Sequence, residues 1–446
     1  MKSELPKGMF RACGWTILEI IVDAFRGAGI AQPTLVIGHQ GEMVEEHLGD
    51  GCRYAWQREQ KGTGHAVLMA KDLFAGFDGN VIIAPGDIPL ITAEALQSLV
   101  QKHIDSGAVC TVGSMVVADP TGYGRVIRTS EGVSGIVEHR DATAEQRLIT
   151  EVNSGIYCFD AKSLFELLDE IRPDNDQGEY YLTDCIGLAV KRGWKVEAAV
   201  FEDSSVAAGV NDRWQLAEAS EILRKRILKS HCLNGVSIPD PQTTYIDLGV
   251  EIGVDTLIHP LTTITRGSQI GSKCEIGPNT IIDKSIVGDS CSVNMSRVNE
   301  SKVGTGTKIG PFAHLRPGSD IGEFCKIGNF VETKKAKFGA KAAASHLSYV
   351  GDAEVGAGAN IGAGTITCNY DGFEKHRTEI GENCFIGSNS TLVAPVRIED
   401  DAFVAAGSVV TKTVPNGSLA VGRARQENKE GWVASWRKRK QVKTDE

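Results

Sequence analysis

The sequence predicts two dissimilar architectures in series, an α/β domain followed by an all-β parallel β-helix. Three observations carry that expectation. An aliphatic residue returns every six positions through most of the second half, apolar runs alternate with amphipathic stretches through the first, and one long amphipathic segment, Asn211 to Leu233, joins them. At 446 residues the chain has room for two or three domains, each with its own core.

In the first half, a helical stretch at Trp15–Ala28 precedes the apolar run Thr34–Ile37, and a helix from about Gly64 to Leu73 precedes Val81–Ala84. Such alternation predicts an α/β domain with a largely parallel sheet. In the connecting helix, Leu216, Ala219, Leu223 and Ile227 share one face. The expected domains are therefore 1–210, a linker helix at 211–235, and 236–446.

Several segments of the first domain are candidates for chemistry. Gly62-Thr63-Gly64-His65 opens a helix, where free N–H groups can meet a base or a phosphate; an ordinary helix cap is the plainer reading. Gly86-Asp87-Ile88-Pro89 ends a buried strand with an acid, suited to Mg²⁺ beside phosphate oxygens or to a simple turn. Thr121-Gly122-Tyr123-Gly124 and Asn153-Ser154-Gly155 read as turns on their own.

The second half keeps its six-residue phase at Ile246, Ile252, Ile258, Ile264, Ile270, Ile276 and Ile282. The phase slips, resumes from Val303 to Ile327, slips again, and returns from Ile380 to Val410. A period of six fits neither a helix nor a simple strand, but three such units make one coil of a parallel β-helix whose aliphatic residues point inward. A β-sandwich gives no reason to hold that phase. About nine coils, a rod of roughly 45 Å, are expected, with loops leaving it at the slips, 283–302 and 333–379. The tail carries Trp432, Trp436 and the run Arg437 to Lys440, either a solvated basic terminus or an arm that docks on a neighbour.

A net charge of −10 excludes a whole-protein nucleic-acid footprint. No run approaches the apolar length of a membrane span. The eleven cysteines are scattered with no Cys-x-x-Cys pair, which predicts reduced, mostly buried thiols in the cytoplasm and argues against zinc ribbons.

Read together, the motifs resemble one family closely. They run in order LPK at 5–7, GTGHA at 62–66, GDIPLI at 86–91, DPTGYGR at 119–125, GIVEH at 135–139, GEYYLTD at 178–184 and GVN at 209–211. The rod adds IGPFAHLRPG at 309–318, GNFVETKKA at 328–336, SHLSYVGDAEVG at 345–356 and NIGAGTITCNYDG at 360–372. This set resembles the bifunctional N-acetylglucosamine-1-phosphate uridyltransferases/glucosamine-1-phosphate N-acetyltransferases over residues 1 to about 432. The resemblance implies a Rossmann-like nucleotidyltransferase domain, a left-handed β-helix, a homotrimer, and UTP, sugar phosphates, acetyl-CoA and Mg²⁺ as ligands. It implies no nucleic-acid partner and no membrane insertion.

For acetyl transfer, the resemblance implies His346 as general base. It places Arg316, Lys334, Tyr349 and Asn360 on glucosamine-1-phosphate, and Ala363, Asn369, Tyr370, Ser388, Ala406 and Arg423 along acetyl-CoA. For uridylyl transfer it implies nucleotide contacts at Lys7, Gln57, Gly62 and Thr63, sugar contacts at Gly124, Glu138 and Asn153, and Mg²⁺ at Asp87 and Asn211. Imidazole suits a general base because its pKa of about 6.5 leaves it able to accept a proton near neutrality. A guanidinium fork and an ammonium suit a phosphate dianion.

The sequence also departs from that family. The family pattern before LPK is a buried strand running into a glycine-rich loop with a Gly-Thr-Arg; here Met1 stands where the residue after that Arg falls. Gly8 to Trp15 replaces most of the usual residues after the Lys, and Pro85 precedes the Gly-Asp. Without the strand, two neighbouring strands are expected to keep unpaired edges inside the core, and the phosphates lose a main N–H cradle. Either translation begins upstream of Met1, or the protein is an acetyltransferase with a disabled first domain; the codons before Met1 distinguish the two. Two other classes remain in view. A γ-type carbonic anhydrase needs converging histidines, whereas His259, His314, His346 and His376 include no close pair. A rod that serves only for assembly does not account for the His, Lys, Asn and Tyr density of 333–379.

Overall fold

The computed structural model describes residues 1–130, 132–175 and 177–442. The chain forms two compact units, residues 1–227 and 228–446. In the first, Thr16 caps the helix Ile17–Gly27: its hydroxyl accepts from Glu19 N while the Glu19 carboxylate accepts from Thr16 N, so the helix starts two residues later than the apolar pattern suggests. The GTG segment opens a short helix, Thr63–Leu68, followed by a 3₁₀ turn at Lys71–Phe74.

A six-stranded sheet orders Val196–Val200, Cys110–Val116, Glu151–Asp160, Arg125–Thr129 and Gly132–Val137, with Asn80–Ile83 also on Glu151–Asp160. The expectation of a largely parallel sheet is corrected here. Val196–Val200 runs parallel to Cys110–Val116, but Glu151–Asp160 is antiparallel to all three of its partners. The reason lies in the connections: between 110 and 160 the described chain makes three further strands with no α-helix, and parallel neighbours need a long crossover. Phe159, Leu164, Leu167 and Ile186 form the centre of the core beneath this sheet.

Thr34–Ile37 pairs in parallel with Arg53–Trp56 as a separate two-stranded sheet. Among the described residues its other edge and that of Asn80–Ile83 have no strand partner, and both strands line one cavity of about 1270 Å³. The two unpaired edges expected from the sequence are present.

The second unit is a left-handed parallel β-helix of three faces. The first starts at Tyr245–Ile246 and has ten strands, the second starts at Glu251–Ile252 and has nine, and the third starts at Leu257–Ile258 and has ten. Every pairing between coils is parallel and in register, such as Ile258 with Ile276 or Ile386 with Val404. The hexad residues from Ile258 to Ile282, Val303 to Ile327 and Ile380 to Val410 are buried, and Ile252 at the open end is half-buried.

The two phase slips are not both loops, which corrects a second expectation. Around 283–302 the rod continues unbroken: Ile270 pairs with Val287 and Val287 with Val303, so the coil has lost one or two residues at its corners. Corner residues lie outside the strands, so a shortened corner keeps the stacking. In the second slip the coils are likewise continuous until Val355, which pairs with Ile380. Only the segment near 369–377 leaves the rod, closed by a Tyr370–Lys375 bridge.

Each inward aliphatic is clamped by the coils above and below. Ile386, fully buried between Ile361 and Val404, is expected to cost about 2–5 kcal/mol when replaced by Ala, because rigid neighbouring coils collapse poorly onto the gap. A lowered chemical-denaturation midpoint of the second unit measures it. All eleven cysteines are free, and eight are buried.

Candidate active sites

In the first unit, three distant segments meet at one ammonium. Lys7 Nζ donates to Asp87 Oδ2 at 2.5 Å and to Asn211 Oδ1 at 2.7 Å. The Asp87 carboxylate and the Asn211 amide oxygen therefore already converge on a cation, and two hard oxygen donors so arranged fit Mg²⁺, which takes few protein ligands and completes its shell with water and phosphate. Asp87 is aimed by its own turn: its carbonyl accepts from Val210 N, tying GDIPLI to GVN.

The GTG segment is clamped from behind. Gly64 N donates to Tyr180 O and Tyr180 N donates to Lys61 O, while Thr63 Oγ1 accepts from Leu182 N at 3.0 Å. Gly62 holds φ +103°, and a Cβ there would lie 2.6 Å from Tyr180 O, so only glycine fits. Gln57 Nε2 donates to Gly62 O and meets His65 Nδ1 at 2.9 Å. The Thr63 hydroxyl and the Gln57 amide thus shape the loop. The GEYYLTD run, not singled out residue by residue from sequence, supplies the clamp.

Gly124, Glu138 and Asn153 are brought together. Asn153 N donates to Gly124 O at 2.8 Å, and a Cβ on Gly124 would lie 3.4 Å from a Glu138 carboxylate oxygen. Asn153 Nδ2 donates to the Tyr157 hydroxyl at 2.7 Å. Burial first, then the nearby Asp141 and Asp184 charges, push the Glu138 carboxyl above the ordinary range. Glu138, Asn153, Thr63 and Gly86 line the same large cavity as the two unpaired strands. Pro85 packs toward Gly155, whose φ of +78° and lack of Cβ leave it room.

On the β-helix, alternation puts Arg316, Glu332, Lys334 and Tyr349 outward on the first face, around inward Leu315, Thr333 and Val350. Arg316 Nη1 donates to Glu332 Oε1 at 2.8 Å, and that carboxylate holds the guanidinium's pKa above its usual value. The Tyr349 phenol lies across Gly351, where a Cβ would come within 2.4 Å of its oxygen. Lys375, from the excursion at 369–377, stands beside Lys334, and its ammonium holds the Lys334 pKa below the ordinary lysine range. Three cations therefore gather on one face. Neither Glu332 nor Lys375 was marked from sequence.

His346 closes the third face at the corner leading to the first. It pairs in register with Asn329. Continuing the neighbouring registers puts Ala363, Ser388 and Ala406 in the same column on successive coils. The column is a strip of small side chains leading to an exposed imidazole that no side chain bonds among the described residues. The Arg423 stem adjoins Gly407 at the far end. Asn369 Nδ2 donates to Asp352 Oδ2 and the Tyr370 hydroxyl to Gly372 O, which fixes the root of the excursion. His376 Nε2 meets Asp371 Oδ2 at 2.7 Å and braces its base. Asn360 stands apart, at the opening of a third-face strand beside Ala343 and Phe385.

Comparison with known proteins gives the following. The nucleotidyl transferase family pattern matches residues 2–221, and the hexapeptide repeat of succinyl-transferase matches 377–412. The chain is 47% identical over 434 residues to the bifunctional protein GlmU of Acetivibrio thermocellus, covering 97% of this chain and 94% of that one. It is 49% identical to the bifunctional protein GlmU of Caldanaerobacter subterraneus subsp. tengcongensis over the same shares. To that of Pelobacter propionicus it is 48% identical over 445 residues, 98% of this chain and 96% of the relative.

Proposed function

Since the chain belongs to the bifunctional GlmU family, we propose a division of labour between its two halves, in which 236–446 N-acetylates glucosamine-1-phosphate with acetyl-CoA and 1–210 then transfers uridylyl from UTP to the product, joined by the helix at 211–235. The observation that carries the first step is the His346 column of small residues, which ends at the corner leading to the face that bears Arg316 and Lys334, where Lys375 joins them.

In the acetyl step, Arg316, Lys334 and Lys375 hold the sugar phosphate, and Tyr349 and Asn360 contact the sugar. The cofactor lies along Ala363, Ser388 and Ala406, whose small side chains admit a thin chain, with Asn369, Tyr370 and Arg423 along its course. The sugar nitrogen attacks the thioester carbonyl. The N–C bond forms, the C–S bond breaks, His346 takes the amine proton, and the coenzyme A thiolate leaves. Three cations around one dianion make Lys375 more than a spectator. Lys375→Ala is expected to raise KM for glucosamine-1-phosphate about tenfold with a smaller change in kcat, measured by thiol release.

In the uridylyl step, an oxygen of the sugar phosphate attacks the α-phosphorus of UTP and pyrophosphate leaves. Asp87 and Asn211 hold Mg²⁺, which neutralises phosphate charge when bound. Lys7 supplies a second cation, Gln57, Gly62 and Thr63 meet the nucleotide, and Gly124, Glu138 and Asn153 meet the sugar. We place the enzyme in the cytoplasm as a homotrimer; no helix among the described residues is long and apolar enough to cross a membrane.

Two separate assays test the proposal: thiol release from acetyl-CoA with glucosamine-1-phosphate, and pyrophosphate release from UTP with N-acetylglucosamine-1-phosphate. Both signals are expected from this chain. Absence of thiol release overturns the first assignment, and absence of pyrophosphate overturns the second.

A further inference from the structure

The strand Glu151–Asp160 carries a bulge that joins two side chains a regular strand keeps apart. Asn153 pairs with Ser114 and Tyr157 with Val112, so the chain takes four steps on one strand against two on its partner. Residues four apart in a regular strand stand about 13 Å from each other. Here Asn153 Nδ2 donates to the Tyr157 hydroxyl at 2.7 Å. Two bonds hold the bulge: Ser154 Oγ donates to Gly113 O at 2.7 Å and accepts from Ile156 N at 3.1 Å. Bulges of this kind re-aim side chains beside functional sites.

The orientation of the Asn153 amide is set at both ends. Its Oδ1 accepts from Gly155 N at 3.0 Å, so Nδ2 faces the phenol and the phenol oxygen is the acceptor. The hydroxyl proton therefore points elsewhere, and among the described residues the bond from Asn153 is the one hydrogen bond the Tyr157 hydroxyl makes. Tyr157 is 4% exposed, its ring lies 6.0 Å from that of Phe159, and both Tyr157 and Asn153 line the large cavity. Burial above all pushes the phenol's pKa up, so the oxygen keeps its proton. A buried O–H without an acceptor at a cavity wall carries a desolvation cost that a ligand oxygen relieves.

We propose that Tyr157 is a further sugar-binding residue, which positions the Asn153 amide by accepting from it and donates its own proton to an oxygen of the bound sugar. The inference rests on the uridylyl-transfer reading, in which Gly124, Glu138 and Asn153 meet the sugar. The donor set of this wall suits that ligand. The Glu138 carboxyl and the Asn153 amide oxygen offer acceptors, while the Tyr157 hydroxyl and the second Nδ2 proton of Asn153 offer donors. A sugar hydroxyl both donates and accepts, and an acetamido carbonyl accepts. A phosphate dianion only accepts and is better met by cations, so the mixed wall fits the sugar and not its phosphate.

The test compares the full chain with Tyr157→Phe, which removes one oxygen and keeps the ring in the core. In pyrophosphate release, KM for N-acetylglucosamine-1-phosphate is expected to rise about three- to tenfold. KM for UTP, acetyl transfer and the denaturation midpoint are expected to stay as in wild type. An unchanged sugar-phosphate KM gives the proton to a water molecule and overturns the inference, while the uridylyl reading stands. Equal rises in both KM values, or a lowered midpoint with no shift in sugar KM, assign the hydroxyl to folding and also overturn it. A wild type that releases no pyrophosphate removes the uridylyl reading and the inference with it. Glucosamine-1-phosphate, added as a competitor without acetyl-CoA, then tells which oxygen is met. An inhibition constant that Tyr157→Phe leaves unchanged assigns the acetamido carbonyl, and one raised by the same factor assigns a ring hydroxyl; either supports the inference.

Discussion

Replacing His346 by Ala is expected to lower acetyl transfer by about 10²–10⁴-fold while leaving uridylyl transfer unchanged. The imidazole stands exposed at the corner of the third face, and its removal takes no atom from the buried stack of Ala344 and Ile361 beneath it. The loss therefore reads chemistry and not folding, which an unchanged denaturation midpoint verifies. Removal of a base that acts on the amine proton in the transition state lowers kcat more than it raises KM, and that split is the one the proposed role of His346 predicts. Equal thiol release from wild type and variant would favour a rod that serves only for assembly.

The second large effect concerns the other half. Asp87→Asn is expected to lower uridylyl transfer by about 10²–10³-fold, because phosphoryl transfer depends on charge neutralisation and positioning more than on covalent chemistry. Asp87 is the one carboxylate in the cluster that Lys7 joins to Asn211. An amide keeps the shape but removes the negative charge that holds the lysine and that, on the proposed reading, would hold a divalent cation. The Mg²⁺ concentration for half-maximal rate should rise, and acetyl transfer should be untouched, since it proceeds on the other unit. Pyrophosphate release titrated against Mg²⁺ measures both effects.

Much of this was legible in the sequence for a physical reason: the β-helix repeats one constraint, so Ile258, Ile276 and Ile386 announce the core long before any coordinate does. What the sequence did not show is how freely a coil changes length. The slip at 283–302 read as a loop, whereas Ile270, Val287 and Val303 stack in register across shortened corners. Sheet direction in the first domain failed for a related reason, because alternation of helix and strand lapses between Cys110 and Asp160 and pairing turns antiparallel there. The candidate residues were named from the motifs, but the side chains that surround them were not. Lys375 reaches Lys334 only because the excursion at 369–377 folds back, and the outward-facing Glu332 meets Arg316 across one rung. The spacing of pairs in a coil would have indicated Glu332; nothing in the local pattern indicates Lys375.

The most direct measurement is a crystal structure of this chain with glucosamine-1-phosphate and coenzyme A bound. The phosphate is predicted to lie among Arg316, Lys334 and Lys375, the amine nitrogen within about 3 Å of a His346 ring nitrogen, and the cofactor along Ala363, Ser388 and Ala406. A sugar phosphate seated on a different face, with the His346 ring turned to bulk water, would contradict the account.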